Sequence, residues 1–158
     1  MTRIVVLSDI HSNTVPLKKI SGILTESDYV IFLGDGINSI YPYKNLLGDR
    51  LIMVKGNCDM FSQAGDEVVM DIDGHKLLIT HGHKYHVKES LNDLIYRANE
   101  VNADLVLYGH THIPYMETIN GCTLVNPGSL GLPRMGHPTY AYIVLMERKP
   151  MIKIVEVW

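Results

Sequence analysis

The sequence contains few of the residues that mark several special classes of protein. Two cysteines in 158 residues, Cys58 and Cys122, are too few for a disulfide framework. The net charge of −3 at pH 7 argues against a broad basic surface for nucleic acid. No apolar run approaches the roughly 18 residues of a membrane span, and no signal-peptide pattern precedes the first predicted strand. We therefore expect a cytoplasmic protein with no membrane partner and no broad nucleic-acid-binding surface.

The remaining composition is that of an ordinary globular protein. Hydrophobic residues make up 46% of the chain and charged residues 20%, which is enough apolar chain for a sizeable core. At this length we expect one domain that covers residues 1–158. The unusual feature is a total of eight histidines, which permits metal chemistry without requiring it.

Strands and helices alternate in the first part of the chain, as expected for βαβ units with parallel strands. A β-branched apolar run predicts a buried first strand, and apolar residues at helical spacing predict the first helix. Asn13 is the expected N-cap of that helix, with Pro16 in its first turn. The predicted elements are strands at 3–8, 28–33 and 50–55, a helix at 14–25 and a loop at 36–48.

The second part of the chain contains β-hairpins. Asp73-Gly74 is a preferred two-residue hairpin turn, and Asn120-Gly121 marks a second hairpin. The predicted elements are strands at 67–72, 75–80 and 104–108, a helix at 87–101, and antiparallel strands at 115–119, 122–125, 139–147 and 151–157. Together with the first part, this order predicts a mixed α/β fold.

Five of the predicted strands end in side chains that are common metal ligands. These side chains are Asp9 and His11, Asp35, Asn57, His81, and His110 and His112. Each of them alone also fits an ordinary turn, helix cap or buried histidine. Because ligands gather at the carboxyl edge of an open α/β sheet, five such ends together favour a shared site.

The donor types restrict the metal. Carboxylate, amide and imidazole groups together suit manganese, iron, zinc, nickel or cobalt better than calcium, which prefers oxygen ligands alone. The lack of a cysteine cluster argues against a structural zinc site. The set is too large for one tetrahedral ion but fits two ions that share a carboxylate, the arrangement that catalyses in-line displacement at phosphorus.

In chain order, the motifs Asp-x-His, Gly-Asp, Gly-Asn-x-Asp, His-Gly-His and Gly-His-Thr-His resemble those of the calcineurin-like metallophosphoesterase superfamily. The short chain, Gly56-Asn57-Cys58-Asp59 and Asn126-Pro127-Gly128-Ser129 resemble the small bacterial and archaeal phosphodiesterases of the YfcE type. The resemblance implies an α/β fold of the metallophosphoesterase type, an α/β/β/α sandwich of two mixed β-sheets flanked by helices. It also implies hydrolysis of a small phosphodiester by a metal-activated hydroxide, and a homodimer or homotetramer.

The resemblance further implies how the ligands divide between two divalent metal ions per chain. Asp9, His11 and His112 would hold the first ion, Asn57, His81 and His110 the second, and Asp35 would bridge them. Mn²⁺ is the first candidate, and Ni²⁺, Zn²⁺, Fe²⁺ and Co²⁺ stay open because such ligands accept several metals. Asn57 and His81 would thus also be catalytic residues.

One position departs from the pattern of the wider superfamily. Many members carry a histidine after the Gly-Asn pair, a candidate for protonating the leaving group, and this chain has Cys58 there. A thiol is a poorer general acid for an alkoxide. Cys58 therefore favours a diesterase that acts on activated, cyclic or otherwise easily expelled leaving groups, and the identity of the general acid stays open.

Three further residues are candidates for roles at the site. Asp59 would either orient a ligand or water, or simply close a turn. His83 would approach the substrate or donate a proton only if the chain stays extended after His81. Arg134, in the loop at 126–138, would either pair with a phosphate or lie in solvent.

The aromatic residues near the predicted metal edge fit two roles, and the motifs fit more than one class of function. Tyr41, Tyr43 and Phe61 flank this edge, and would either shape a substrate pocket or form a subunit interface. A phosphomonoesterase competes with the phosphodiesterase, and Cys58 counts against it. A protein-interaction scaffold like a retromer subunit, with a vestigial metal site, is the non-enzymatic candidate, and seven competent ligand positions count against it.

Overall fold

Two five-stranded β-sheets pack face to face, and helices cover both outer surfaces. The computed structural model describes all residues, 1–158. The elements in chain order are β1 (Thr2–Leu7), α1 (Val15–Lys19), α2 (Ser21–Glu26), β2 (Tyr29–Phe32), α3 (Ile37–Ile40), α4 (Lys44–Leu47), β3 (Leu51–Met53), β4 (Glu67–Ile72), β5 (His75–Thr80), α5 (Asn92–Val101), β6 (Leu105–Leu107), β7 (Pro114–Ile119), β8 (Cys122–Pro127), β9 (Thr139–Leu145) and β10 (Met151–Glu156). Short 3₁₀ turns lie at Tyr41–Tyr43, Gly48–Arg50 and His83–Tyr85.

The first sheet has the strand order β10-β9-β1-β2-β3. Strands β1, β2 and β3 are parallel, with Val5 opposite Val30 and Ile31 opposite Ile52. Strand β9 runs antiparallel between β1 and β10. The parallel strands therefore point their carboxyl ends, which precede Asp9 and Asp35, toward one edge of the sheet.

The second sheet has the strand order β4-β5-β6-β8-β7. Strands β5, β6 and β8 are parallel, while β4 and β7 are antiparallel edge strands. The parallel pairing of β8 with β6 corrects the prediction of a wholly antiparallel C-terminal part. Sequence spacing cannot reveal that pairing, because β8 meets β6 only after the chain has passed through β7.

Alternating side chains of β1 fill two separate core layers. Ile4 and Val6 are fully buried between the two sheets, whereas Val5 and Leu7 pack under the helices α1 to α4. A third apolar cluster, which includes Leu94, lies between the second sheet and α5. Since β1 buries both of its faces, it reads as a continuous apolar run. These layers confirm the predicted α/β/β/α sandwich of two mixed sheets flanked by helices.

The first predicted helix, at 14–25, differs in the structure. The backbone bends at Ile20 (φ −101°, ψ 8°), which divides the helix into α1 and α2 while Leu17, Ile20 and Leu24 all remain buried. Thr14, and not Asn13, is the N-cap residue by backbone position. The side chain of Asn13 still contacts the start of the helix, since its Oδ1 accepts from the N–H of Val15 at 3.4 Å while its amide donates to the carbonyl oxygen of Gly131 at 2.9 Å.

Two more predictions need correction, and local packing explains both. The segment at 36–48, predicted as a loop, forms α3 and α4, which bury Ile37, Ile40 and Leu47 at roughly helical spacing. The helix predicted at 87–101 begins only at Asn92, since the chain first makes a left-handed turn at His86 (φ 52°). None of the helices has the length and hydrophobicity needed to span a bilayer.

Candidate metal centre

The seven predicted ligands meet at the edge where the parallel strands of both sheets end. Oδ1 of Asp9 lies 3.2 Å from Nε2 of His112, 3.5 Å from Nε2 of His11 and 3.9 Å from Nε2 of His81. The Nε2 atoms of His11 and His112 are 3.2 Å apart. Asp9, His11 and His112 thus form a compact group of one carboxylate and two imidazoles.

A second group of ligands lies beside the first. Nε2 of His81 is 3.1 Å from Oδ1 of Asn57 and 3.2 Å from Nδ1 of His110. Oδ2 of Asp35 is 3.3 Å from Nε2 of His81 and 3.6 Å from Nε2 of His11. Oδ2 of Asp35 therefore lies between the two groups, and it is closer to His81 than Oδ1 of Asp9 is.

Backbone strain accompanies this convergence. Five of the seven predicted ligands have a left-handed backbone, a conformation that side chains with a Cβ rarely adopt. They are Asp9 (φ 55°), His11 (46°), Asp35 (61°), His110 (71°) and His112 (60°). Each such residue costs about 1 kcal/mol or more, and the strain persists only where the surrounding structure enforces it. The strain concentrates at this edge because each strand must turn sharply to aim its ligand inward.

Backbone carbonyl groups orient two of the imidazole rings. Nδ1 of His81 donates to the carbonyl oxygen of Leu33 at 2.7 Å, and Nδ1 of His112 donates to that of Leu132 at 2.7 Å. A carbonyl only accepts, so the proton of each neutral ring sits on Nδ1 and Nε2 keeps its lone pair. Metal-binding histidines are commonly held by such contacts.

The carboxylate of Asp9 provides a test of whether the site suits a cation. Its Oδ2 accepts from Ser8 Oγ at 2.5 Å and from the backbone N–H of His110 at 3.0 Å. Its Oδ1 is buried and has no hydrogen-bond partner. Buried polar atoms are normally satisfied, and this one faces three imidazole nitrogens. The donor set of carboxylate, amide and imidazole groups therefore fits divalent transition-metal ions.

The ionisation of the site is consistent with cation binding. Burial opposes ionisation of Asp9, but the nearby imidazoles of His11, His112 and His81 hold its pKa well below the usual range. Burial likewise opposes ionisation of Asp35, and His81 lowers its pKa. Burial and the neighbouring His81 lower the pKa of His110 to about 4. Both carboxylates are thus charged and His110 is neutral near pH 7.

The same carboxylates draw positive charge to two of the other imidazoles. The nearby carboxylate of Asp9 raises the pKa of His11, and although burial acts in the opposite direction on His81, Asp35 and Asp9 raise its pKa as well. Metal ions and protons therefore compete for these two rings, and metal binding at this centre releases protons.

Two glycines allow the strand ends to approach one another. A Cβ at Gly56 would collide with Oδ1 of Asp35, and a Cβ at Gly109 would collide with Oγ of Ser8. The glycines of the Gly-Asn and Gly-His motifs are therefore required by the close contacts around the two carboxylates.

The two residues after Asn57 both hold Asp35 in place. The backbone N–H of Cys58 donates to Oδ1 of Asp35 at 2.8 Å, which directs Oδ2 toward the imidazoles. The exposed Cys58 thiol lies within 4.8 Å of ligand atoms of His11 and Asp35. Burial and the negative charge of Asp35 raise the pKa of this thiol, so it is protonated at neutral pH.

The carboxylate of Asp59 faces the backbone. It accepts from the N–H groups of Gly56 at 2.9 Å, Asp35 at 2.7 Å, Gly36 at 3.0 Å and Ile37 at 3.1 Å. Both of its oxygens are engaged in these bonds. Asp59 therefore ties the turn after β2 to the turn after β3, and orients the ligand Asp35 through the backbone.

His83 lies next to the second group of ligands, although the chain does not stay extended after His81. A left-handed Gly82 (φ 104°) and the 3₁₀ turn at His83–Tyr85 bring the ring there instead. Its ring centroid is 5.3 Å from that of His81 and 6.1 Å from that of His110. Burial and the neighbouring His81 lower its pKa, and its buried Nδ1 has no hydrogen-bond partner. A neutral imidazole thus borders the centre without touching Asp9 or Asp35.

The loop at 126–138 supports the centre through residues that sequence reasoning did not assign. Oγ of Ser129 donates to the carbonyl oxygen of Asp9 at 2.7 Å, and the Asn126 amide donates to that of Gly109 at 3.0 Å. Both side chains are completely buried. The Asn-Pro-Gly-Ser motif was the available signal, but its partners lie far away in the sequence. Arg134 is exposed, and its backbone N–H donates to the carbonyl oxygen of His112.

The chain matches known proteins over nearly its whole length. Residues 2–148 match the model of the calcineurin-like phosphoesterase superfamily domain. "Probable metallophosphoesterase YsnB" of Bacillus subtilis is 34% identical over 144 residues, covering 90% of this chain and 82% of that protein. "Phosphodiesterase YfcE" of Escherichia coli is 26% identical over 165 residues, covering 87% of this chain and 84% of that protein.

Solved structures share the fold. A conserved protein of Streptococcus pneumoniae, described as a predicted phosphoesterase, superposes with a TM-score of 0.86 at 26% identity, covering 99% of this chain and 92% of that one. Vps29 of Entamoeba histolytica, complexed with zinc, has a TM-score of 0.78 at 19% identity, with 98% of both chains covered, and shows the fold alone. The fold, the order of the motifs and these similarities together establish that the chain belongs to the calcineurin-like phosphoesterase superfamily.

Proposed function

We propose that this protein is a phosphodiesterase that depends on two divalent metal ions. The observation that carries the proposal is the position of Asp35, whose Oδ2 lies 3.6 Å from Nε2 of His11 and 3.3 Å from Nε2 of His81. A carboxylate between two groups of ligands is what a pair of ions needs as a bridge. Asp9, His11 and His112 would hold one ion, and Asn57, His81 and His110 the other.

When bound, the two ions would supply the charge that activates water, neutralises the phosphate oxygens and stabilises the leaving oxygen. The residues of this chain hold that arrangement in place. Leu33 and Leu132 fix the rings of His81 and His112 through their carbonyl oxygens. Asp59 fixes Asp35 through the backbone.

The cysteine after Asn57 supports a diesterase over a monoesterase. A thiol such as that of Cys58 is a poorer general acid for an alkoxide leaving group than the imidazolium of a histidine. It therefore suits substrates whose leaving group departs without strong protonation. The name of the YfcE relative, a phosphodiesterase, points the same way. His83 is the second candidate for a proton donor, because its ring borders the ligands His81 and His110. Its ring is neutral near pH 7, so it would first have to take up a proton.

Mn²⁺ is the first candidate for both positions, with Ni²⁺, Zn²⁺, Fe²⁺ and Co²⁺ as further ions that the donor set accepts. We further propose that the substrate is a small phosphodiester, that the protein is cytoplasmic, and that it forms a homodimer or homotetramer. Light scattering on the purified protein tests the oligomeric state. Elemental analysis after purification without chelator tests which metal is bound.

A scaffold with a vestigial metal site is the second function, which the Vps29 fold similarity raises. The same experiment separates the two functions. The protein, purified without chelator, should contain close to two metal ions per chain and hydrolyse bis-p-nitrophenyl phosphate with added Mn²⁺. Asp35→Asn should abolish hydrolysis, whereas Asp71→Asn, a change on the exposed side of β4, should not. Metal content well below one ion per chain, together with no hydrolysis, would favour the scaffold.

A further inference from the structure

A cavity of about 400 Å³ opens beside the candidate metal centre. Helix α3, the 3₁₀ turn after it and the segment after β3 form its walls. Asn38, Cys58 and Asp59 line both this cavity and the cleft that contains His11 and Asp35. The two spaces therefore share a wall, and a substrate bound at Asp35 would have one substituent at the entrance of the cavity.

Three large apolar side chains line this cavity while remaining open to solvent. Phe61 is 96% exposed, Met60 75% and Tyr41 61%. A single exposed apolar residue is ordinary, but a cluster beside a catalytic centre marks a binding surface. Tyr43, which the sequence groups with them, instead packs against the core under the helices. The open aromatic faces of Tyr41 and Phe61 are suited to contact a flat ring.

The charge of the cavity restricts the ligand further. No lysine or arginine is among the residues that line it, so a second phosphate group finds no cation there. Asn38 and Gln63 add amide groups, which can bond polar substituents on a ring. Asp59 is the one carboxylate in the walls, and its two oxygens are engaged by backbone N–H groups. The walls thus combine exposed rings with amide groups and no free cation, which favours an uncharged aromatic group over a hydrocarbon chain or a polyphosphate.

We propose that this cavity binds a planar, uncharged aromatic group esterified to the phosphorus of the substrate, and that Phe61 and Tyr41 are its specificity-determining residues. The proposal rests on the proposed phosphodiesterase function, because it assigns the cavity to the same substrate. Contact of the ring with Phe61 would hold the phosphorus between the two groups of ligands. Substrates with alkyl groups at that position would lose this contact.

Binding of two phosphinates to the manganese-loaded protein tests the proposal without any bond cleavage. Diphenylphosphinate and dimethylphosphinate carry the same single charge as a phosphodiester, but only the first has aromatic rings. We expect calorimetry to show that the native protein binds diphenylphosphinate about tenfold more tightly than dimethylphosphinate. Phe61→Ala should reduce this ratio of dissociation constants about fivefold. Tyr96→Ala, which removes a 68% exposed ring from α5, is the matched control and should leave the ratio unchanged.

The outcomes separate this proposal from the proposed function. Equal affinities for the two phosphinates in a protein that hydrolyses bis-p-nitrophenyl phosphate would overturn the aromatic site alone. Selective binding of diphenylphosphinate that Phe61→Ala removes, in a protein that hydrolyses nothing, would support the site and overturn the phosphodiesterase. Phe61→Ala could instead change the oligomeric state, measured by light scattering, and leave the ratio of the two phosphinate affinities unchanged. That result would overturn the proposal in favour of a subunit interface.

The ring could belong to an aryl ester or to a nucleobase, and kinetics distinguish these sources. Thymidine 5′-p-nitrophenyl phosphate and bis-p-nitrophenyl phosphate share a leaving group and differ in the other substituent. A larger loss of kcat/KM in Phe61→Ala for the thymidine ester supports a nucleobase at this site. A larger loss for the bis-aryl ester supports an aryl group. No loss for either ester would contradict the proposal.

Discussion

Asp59→Ala should destabilise the metal-free protein by about 3 kcal/mol. The carboxylate of Asp59 accepts from four backbone N–H groups, at 2.7 to 3.1 Å, in the turns that follow β2 and β3. Hydrogen bonds to a charged group contribute about 1.5–3 kcal/mol each, but water reaches part of this half-buried segment and replaces some of them. About 3 kcal/mol remains as the net cost, which corresponds to a fall in Tm of about 6–12 °C at this chain length.

Urea unfolding in the presence of EDTA is the suitable assay, because the absence of metal separates loss of backbone contacts from loss of ligand binding. Asp71→Ala removes an exposed carboxylate from β4 and should change stability by less than about 0.5 kcal/mol. Asp59→Asn, which keeps one acceptor oxygen, should fall between the two and provides a milder variant if Asp59→Ala does not fold.

The opposite result would assign Asp59 to chemistry instead of structure. If Asp59→Ala unfolds at the same urea concentration as the native protein but loses hydrolysis of bis-p-nitrophenyl phosphate, its carboxylate acts on substrate or water. The four hydrogen bonds from backbone N–H groups would then contribute little to the free energy of unfolding. A loss of stability accompanied by reduced metal affinity is the outcome that the geometry around Asp35 predicts.

Three further predictions concern the bridging role of Asp35, the role of Cys58 in the choice of leaving group, and the contact of Glu67 with Arg97. Asp35→Ala should lose nearly all bound metal, while Asp9→Ala should retain about one ion per chain by elemental analysis, and equal losses would contradict a bridging role. Cys58→His should raise the ratio of monoesterase to diesterase activity toward p-nitrophenyl substrates, and an unchanged ratio would show that the thiol does not influence the choice of leaving group. Burial opposes ionisation of Glu67, but hydrogen bonds from Arg97 lower its pKa, so its stabilising contribution is fully present above its ordinary pKa and is lost as pH falls through the lowered pKa of the folded protein. Glu67→Gln should therefore cost about 1 kcal/mol at pH 7 and progressively less as the pH is lowered below the ordinary pKa, and a cost independent of pH would refute this reasoning.

Local sequence signals predicted the elements whose geometry is local. The hairpin of β4 and β5 has the predicted bounds, since Asp73 (φ 49°) and Gly74 (φ 79°) adopt the left-handed turn that Asp-Gly favours. The break at Ile20 and the helices α3 and α4 were not predicted. They depend on how short apolar segments pack over the first sheet, which periodicity in a single stretch does not show.

In the candidate site too, local sequence signals predicted some features, whereas those that depend on long-range contacts were not predicted. Ligand-type residues after Gly at several strand ends indicated a common edge, and the structure brings all seven of them together. The supporting roles of Asn126 and Ser129 were not predictable, because their partners Gly109 and Asp9 are 17 and 120 residues away. The sequence left the role of Asp59 undecided between orienting a ligand or water and closing a turn, for a related reason. A carboxylate two residues after a ligand fits both, and only its four N–H partners separate them.

The position of the centre, at the seam between the two sheets, explains why its parts depend on one another. Asp9 and Asp35 follow strands of the first sheet, whereas His81 and His110 follow strands of the second. Contacts cross the seam in both directions, since the N–H of His110 donates to Asp9 and the ring of His81 donates to the carbonyl oxygen of Leu33. The ligands therefore reach their positions only when the sheets are packed together. A metal ion that binds these side chains only in the folded protein would therefore stabilise the packing of the sheets by RT ln(1 + [M]/Kd). The strained backbone at Asp9, Asp35 and His110 is held by the same packing.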